Sequence, residues 1–142
     1  MVEKLNHFLA DLVVEYHKLQ NFHWYVKGPD FFTVHAKLEE YYDYISDAVD
    51  EVAEKILMIQ GKPLASLQEF CAHASIQEAA SDYVTSSVIW EAVLHDFSAL
   101  LDEAVDIKKA ADAADNSLIS AAMDSYIENF SKSIWMLGQR AQ

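Results

Sequence analysis

Four residues of metal-binding types stand out in this chain because of their separations along the sequence. They are two histidines and two acids: His23, His35, Asp50 and Glu54. His35 and both acids lie in one segment with helical periodicity, where positions 35 and 50 are ~22 Å apart at ~1.5 Å rise per residue. The ligand atoms of one ion must all lie within ~2.0–2.6 Å of it. If these four residues share an ion, His35 and Asp50 must therefore come from different subunits.

A line of polar side chains runs along this segment beside its apolar stripe. At ~100° per residue the line falls within one arc of ~100°, and its members are His35, Glu39, Asp43, Ser46, Asp50 and Glu54. A solvated face would explain carboxylates alone, but histidine at one end and paired acids at the other favour metal binding. Head-to-tail pairing of two such helices about a two-fold axis would bring His35 of one chain beside Asp50 and Glu54 of the other. His23 could join His35 because the turn at Gly28-Pro29 folds the first segment back onto the second.

The alternative location for a metal is the interior of one helical bundle. Di-iron sites of that kind use Glu-x-x-His motifs on two of the helices. The residues three positions before the six histidines are Lys4, Val14, Gln20, Phe32, Phe70 and Ala92. No Glu-x-x-His motif exists, so the sequence favours a site between subunits over one inside the bundle.

The elements that must position these residues are helices. Apolar residues recur every three or four positions, as in Leu5, Phe8, Leu9 and Leu12, which is typical of amphipathic helices. Capping-box patterns at 66–69 and 75–78 predict a short helix and then, directly or after a brief irregularity, a third long one. Asn116 is a candidate cap for the last helix. We therefore predict an all-α, single-domain chain over 1–142. The expected fold is a four-helix bundle with a short extra helix in the connection between helices 2 and 3.

Composition narrows the function further. The formal net charge is −13, which disfavours a phosphate-binding surface and favours attraction of cations. The longest apolar run is too short to span a membrane, and the N-terminus lacks the pattern of a signal peptide. A lone cysteine, Cys71, fits a reducing compartment. We therefore expect a cytoplasmic protein without membrane or direct DNA binding.

Three stretches of this chain together resemble the signature of the Dps miniferritins. They are FHWYVKGPDFFTVH at 22–35, DEVAE at 50–54 and GKP at 61–63. The resemblance continues to the Ile134-Trp135-Met136 region and covers nearly the whole chain. It implies a ferritin-like bundle and a homo-oligomeric shell, a dodecamer, that oxidises Fe(II) with hydrogen peroxide and stores ferric iron, protecting the cell from oxidative damage.

The resemblance also implies roles for individual residues. His23 and His35 would bind iron from one subunit, and Asp50 and Glu54 from its two-fold partner, with Glu39 as a further ligand and zinc as a competing ion. Independently of the resemblance, Trp24 and Tyr25 are candidate electron donors because they adjoin His23, although packing at an interface is the favoured role. By the same resemblance, iron-entry channels would lie near four acids, although helix capping explains some of them equally well: Asp112, Asp115, Asp124 and Glu128. Many Dps proteins bind DNA through basic tails, a feature that this sequence does not show.

Two alternatives to this function remain open. The chain could form a structural or surface-recognition shell in which metal only stabilises the dimer, or it could form a plain helical dimer without a shell. The other four histidines, His7, His17, His73 and His95, are expected to be surface or packing residues.

Overall fold

A computed structural model describes residues 1–140 of the chain, which form five α-helices. Their bounds are α1 Val2–Tyr25, α2 Phe31–Met58, α3 Leu67–His73, α4 Ser86–Ala113 and α5 Ser117–Gln139. Residues 1–140 contain no β-strand beyond an isolated bridge between Val26 and Val84. The prediction of four long helices and a short one between the second and third long helices is confirmed.

The long helices enclose one apolar core. The predicted stripe of α1 supplies fully buried side chains such as Leu5, Phe8 and Leu12. Rings from different helices meet at the centre, where Phe97 of α4 lies 5.0 Å from Tyr41 of α2 between ring centroids. Near one end, the Tyr126 hydroxyl of α5 donates to Glu51 of α2 at 2.6 Å. These contacts fix the rotation of α2 about its own axis, so that its polar line faces outward.

Turn and capping residues determine where the helices begin and end. Gly28 has φ 138° in the turn between α1 and α2, a conformation that favours glycine. The capping box of α3 forms as predicted, with the Ser66 hydroxyl accepting from the Glu69 N–H at 3.2 Å and the Glu69 side chain accepting from the Ser66 N–H at 3.1 Å. The Asn116 side chain caps α5 by accepting from the Ile119 N–H at 3.1 Å.

The second capping-box pattern, at 75–78, does not open a helix. The backbone N–H groups of Ser75 and Ile76 instead donate to Asp11 Oδ1 at 2.6 and 2.9 Å. This carboxylate from α1 satisfies the donors that a new helix would have left free, and α4 begins only at Ser86. The connection between α3 and α4 is thus pinned to α1 in an irregular conformation.

None of the five helices combines the length and the apolar character required to traverse a lipid bilayer.

Candidate metal centre

The turn between α1 and α2 brings His23 and His35 into direct contact. Their rings stack with centroids 3.6 Å apart and an interplanar angle of 13°. The turn itself is held by the connection before α4, because the Lys27 N–H donates to Val84 O at 2.9 Å and the Val84 N–H to Tyr25 O at 3.2 Å. The sequence prediction that the two histidines meet is confirmed.

Reciprocal hydrogen bonds orient the two rings. His23 Nδ1 lies 2.7 Å from the carbonyl oxygen of His35, and His35 Nδ1 lies 2.7 Å from the carbonyl oxygen of His23. Since a carbonyl oxygen can only accept, each Nδ1 must carry the hydrogen. In the neutral ring the lone pair is then on Nε2. Metal-binding histidines are commonly oriented by an outer contact of this type.

Glu39 is the acid of the same chain closest to this pair. One of its carboxylate oxygens lies 3.9 Å from His23 Nε2, and its side chain is largely exposed while His23 is only 6% exposed. The Tyr42 ring packs edge-on against His23 at 5.2 Å between centroids. Burial, followed by the charges of Glu39 and Asp43, raises the pKa of the Tyr42 hydroxyl. One chain thus places two imidazoles and a carboxylate side by side.

Asp50 and Glu54 do not join this group within the chain. Both are exposed, and α2 is unbroken from Phe31 to Met58, so His35 and Asp50 are separated by ~22 Å along its axis. The intervening Asp43 and Ser46 are exposed as well, which confirms that the predicted polar line follows one outer face.

Trp24 is a largely exposed aromatic residue next to His23 in the sequence. Its side chain is 59% exposed, and its ring meets His17 edge-on at 6.3 Å between centroids. This geometry suits contact with another molecule, and its role in electron transfer stays a hypothesis.

Comparison with known proteins relates this geometry to a family. The sequence model of the ferritin-like domain matches residues 2–142. The chain is 41% identical over 140 residues to DNA protection during starvation protein 2 of Bacillus anthracis, covering 96% of this chain and 93% of that protein. It is 37% identical to a Dps protein from Bacillus brevis, with a TM-score of 0.94 over 99% of this chain and 95% of that one.

The chain belongs to the Dps proteins of the ferritin-like family. A Dps protein from Vibrio cholerae O1 is also similar, at 32% identity and a TM-score of 0.95, covering 99% of this chain and 88% of that one. The Vibrio protein is described as a member of a broad superfamily of ferritin-like diiron-carboxylate proteins. The predicted family and the ferritin-like bundle are thereby confirmed.

This Dps chain carries a second polar cluster that the sequence did not predict. His7, expected to be a surface or packing residue, is partly exposed, and its Nε2 lies 3.2 Å from Asp11 Oδ2 and 3.4 Å from Glu103 Oε1. Burial, followed by the hydrogen bond and charge of Asp11, raises the pKa of Glu103 to about 10. The spacing of His7 and Asp11 by one helical turn was visible in the sequence, but the approach of α4 was not.

Further along the same helices, Glu15 is fully buried. It is 0% exposed, and neither of its carboxylate oxygens has a hydrogen-bond partner among the described residues. Burial, followed by the charge of nearby Asp96, raises its pKa well above the ordinary value. Asp96 itself pairs with Lys18 at 2.8 Å.

The acids near the end of α4 and the start of α5 are partly engaged within the chain. Asp124 pairs with Lys108 at 2.9 Å, and Asp112 accepts from the Ser120 hydroxyl at 2.5 Å. Asp115 is exposed with φ 53° in the turn. These contacts give the acids a structural role, and the predicted role in iron entry stays untested.

Proposed function

We propose that this Dps chain oxidises Fe(II) with hydrogen peroxide and stores the ferric product inside a shell of identical subunits. The observation that carries the proposal is the stacked pair of His23 and His35, both oriented with Nε2 available as a ligand. Imidazole together with carboxylate suits iron, with zinc as a competing ion. The description of the Vibrio relative as a diiron-carboxylate protein supports the same choice of metal.

A second copy of the chain would complete the site. In an antiparallel pair of α2 helices, Asp50 and Glu54 of one subunit would approach His23 and His35 of the other, with Glu39 beside the second iron. Both acids are exposed in the isolated subunit and so are available for this contact. A two-fold interface of this type would contain two equivalent sites.

Exposed apolar side chains support assembly beyond one subunit. They include Trp24, Phe32, Leu57, Met58, Trp135 and Met136. Large exposed apolar residues are typical of surfaces that contact other proteins. We therefore propose a closed homo-oligomer, a dodecamer by resemblance to the family, located in the cytoplasm, where the exposed thiol of Cys71 would stay reduced.

The proposed chemistry couples two one-electron oxidations to one two-electron reduction. Two Fe(II) ions give up one electron each, hydrogen peroxide accepts both electrons, and with two protons it yields two water molecules. A single Fe(II) would instead split peroxide into hydroxide and hydroxyl radical. Neighbouring iron substrates are therefore expected to favour the route without radicals.

The test is Fe(II) oxidation by peroxide in the wild type and in a His23→Ala, Asp50→Ala double variant. We expect the double variant to oxidise iron at least ~10-fold more slowly, because each shared site then lacks one ligand from each of the two subunits. His73→Ala is the matched control, since His73 is exposed and lies on α3. Unchanged oxidation in an assembled double variant would exclude this function and favour a shell in which metal only stabilises the dimer.

A further inference from the structure

A second group of metal-binding atoms converges between α1 and α4 of one chain. His7 Nε2 lies 3.2 Å from Asp11 Oδ2 and 3.4 Å from Glu103 Oε1, and the three ligand atoms all lie within 4.8 Å of one another. Two ligands placed ~2.1 Å from one ion are ~3.0 Å apart at a right angle and ~3.4 Å apart at the tetrahedral angle. The two observed separations therefore fit an ion with little movement of the side chains.

The orientation of the Asp11 side chain is fixed by backbone hydrogen bonds. This side chain is 1% exposed, and Oδ1 accepts the N–H groups of Ser75 and Ile76 at 2.6 and 2.9 Å. Oδ2 faces His7 and Glu103 and accepts no backbone N–H group among the described residues. A carboxylate with one oxygen fixed by backbone donors and the other turned toward further ligand types is oriented as metal ligands commonly are.

No lysine or arginine side chain among the described residues pairs with the two acids of this cluster. Among residues 1–140, Lys4 pairs with Asp106 at 2.5 Å and Lys18 pairs with Asp96 at 2.8 Å, while no lysine or arginine pairs with Asp11 or Glu103. His7 is the basic group that pairs with both acids, so a divalent cation between them would add positive charge where one imidazole now lies. His7 is 41% exposed and borders, with Glu103, a cavity of about 260 Å³ through which an ion could enter.

We propose that His7, Asp11 and Glu103 bind a divalent first-row transition-metal ion, of the class of Mn(II), Fe(II) and Zn(II), within a single subunit. One imidazole with two carboxylates suits these ions, whereas Mg²⁺ and Ca²⁺ prefer oxygen ligands alone. Ser75 Oγ, 3.0 Å from His7 Nε2, supplies a further oxygen when its hydroxyl hydrogen turns away. The bound ion ties α1 to α4 and to the connection before α4. This site is complete without a partner chain, and it does not rest on the proposed oxidation of iron.

The direct test uses crystals of the assembled wild-type protein soaked with Mn(II). We expect an anomalous difference peak bounded by His7 Nε2, Asp11 Oδ2 and Glu103 Oε1. In crystals of a His7→Ala variant this peak should be absent, while any peak beside His23 and His35 remains. Wild-type crystals with manganese beside His23 but none beside His7 would overturn the proposal.

Calorimetric titration with Mn(II) tests the site in solution. Glu103→Gln preserves the shape of the side chain but removes its charge, so it should bind one ion fewer per chain or bind that ion at least ~10-fold more weakly. His7→Ala should behave alike, and the control His73→Ala should match the wild type. If Glu103→Gln and His7→Ala both bind as many ions as the wild type with the same affinity, the site does not exist.

Discussion

Mixing two different variants tests whether the proposed iron site is shared between chains. His23→Ala removes a ligand from one side of the site, and Asp50→Ala removes a ligand from the other. These positions cannot serve one ion within a chain, because α2 is continuous over Phe31–Met58 and separates His35 from Asp50 by ~22 Å. A dimer of either variant alone would therefore contain no complete site.

A mixed dimer of the two variants recovers one complete site. That site takes His23 from the Asp50→Ala chain and Asp50 from the His23→Ala chain, while the second site lacks both ligands. With random pairing of equal amounts, half of the dimers are mixed and ~25% of all sites are complete. The measurement is the initial rate of Fe(II) oxidation by peroxide after the two variants are unfolded together and reassembled.

A second mixture, with both substitutions on the same chain, distinguishes a shared site from a site within one chain. When the double variant carrying both substitutions is reassembled with an equal amount of wild type, only wild-type dimers have complete sites, which again leaves ~25%. A site contained within one chain would give ~50% in this second mixture and no recovery in the first. Those two results together would refute the shared site, and Asp47→Ala, another exposed acid on α2, controls for loss of surface charge.

Four further predictions concern stability, pH, DNA and electron transfer. Glu15→Leu should raise the free energy of unfolding at neutral pH by ~1–3 kcal/mol, because a buried carboxyl with unpartnered oxygens is removed; a denaturant titration showing lower stability would contradict this. In the metal-free protein, the folded pKa of Glu103 is about 10 against 4.5 ordinarily, so the folded state retains a proton that the unfolded chain releases. The stabilisation from this retained proton is complete below pH ~4.5 and is lost as the pH rises toward 10. The melting temperature of Glu103→Gln should therefore fall less between pH 5 and 9 than that of the wild type. Equal falls in melting temperature would count against the raised pKa of Glu103. With a net charge of −13, the protein should give no band shift with duplex DNA at physiological salt, and a retarded band would reverse that expectation. Trp24→Phe should oxidise iron and suppress hydroxyl radical as the wild type does, since Trp24 contacts His17 on the exposed surface; a spin-trapping assay with increased radical would instead support electron donation by this ring.

Local sequence patterns predicted those features that depend on one helix or one turn. The polar line on α2 follows from helical periodicity alone, and the caps at Ser66 and Asn116 need only residues within the first turn. The meeting of His23 and His35 follows from a short turn between two helices. Each of these predictions required no knowledge of distant parts of the chain.

Features that depend on distant segments were not predictable in this way. The pattern at 75–78 has the residues of a capping box, but Asp11 from α1 accepts the backbone N–H groups at its start, and no helix begins there. The same carboxylate contributes to the cluster with His7, which requires Glu103 from α4. Nothing near position 11 indicates either contact. Contacts between distant segments therefore decided both cases.

The unbroken length of α2 has a consequence for how two sites of one dimer relate. Each α2 helix would contribute His35 to one site and Asp50 with Glu54 to the other, so the helix acts as a rigid spacer between them. Irons held at the two sites would lie too far apart to exchange electrons directly, and each pair of irons would react as an independent unit. A proline in the middle of α2, at a position that contacts neither site, would bend the spacer and misalign both sites together.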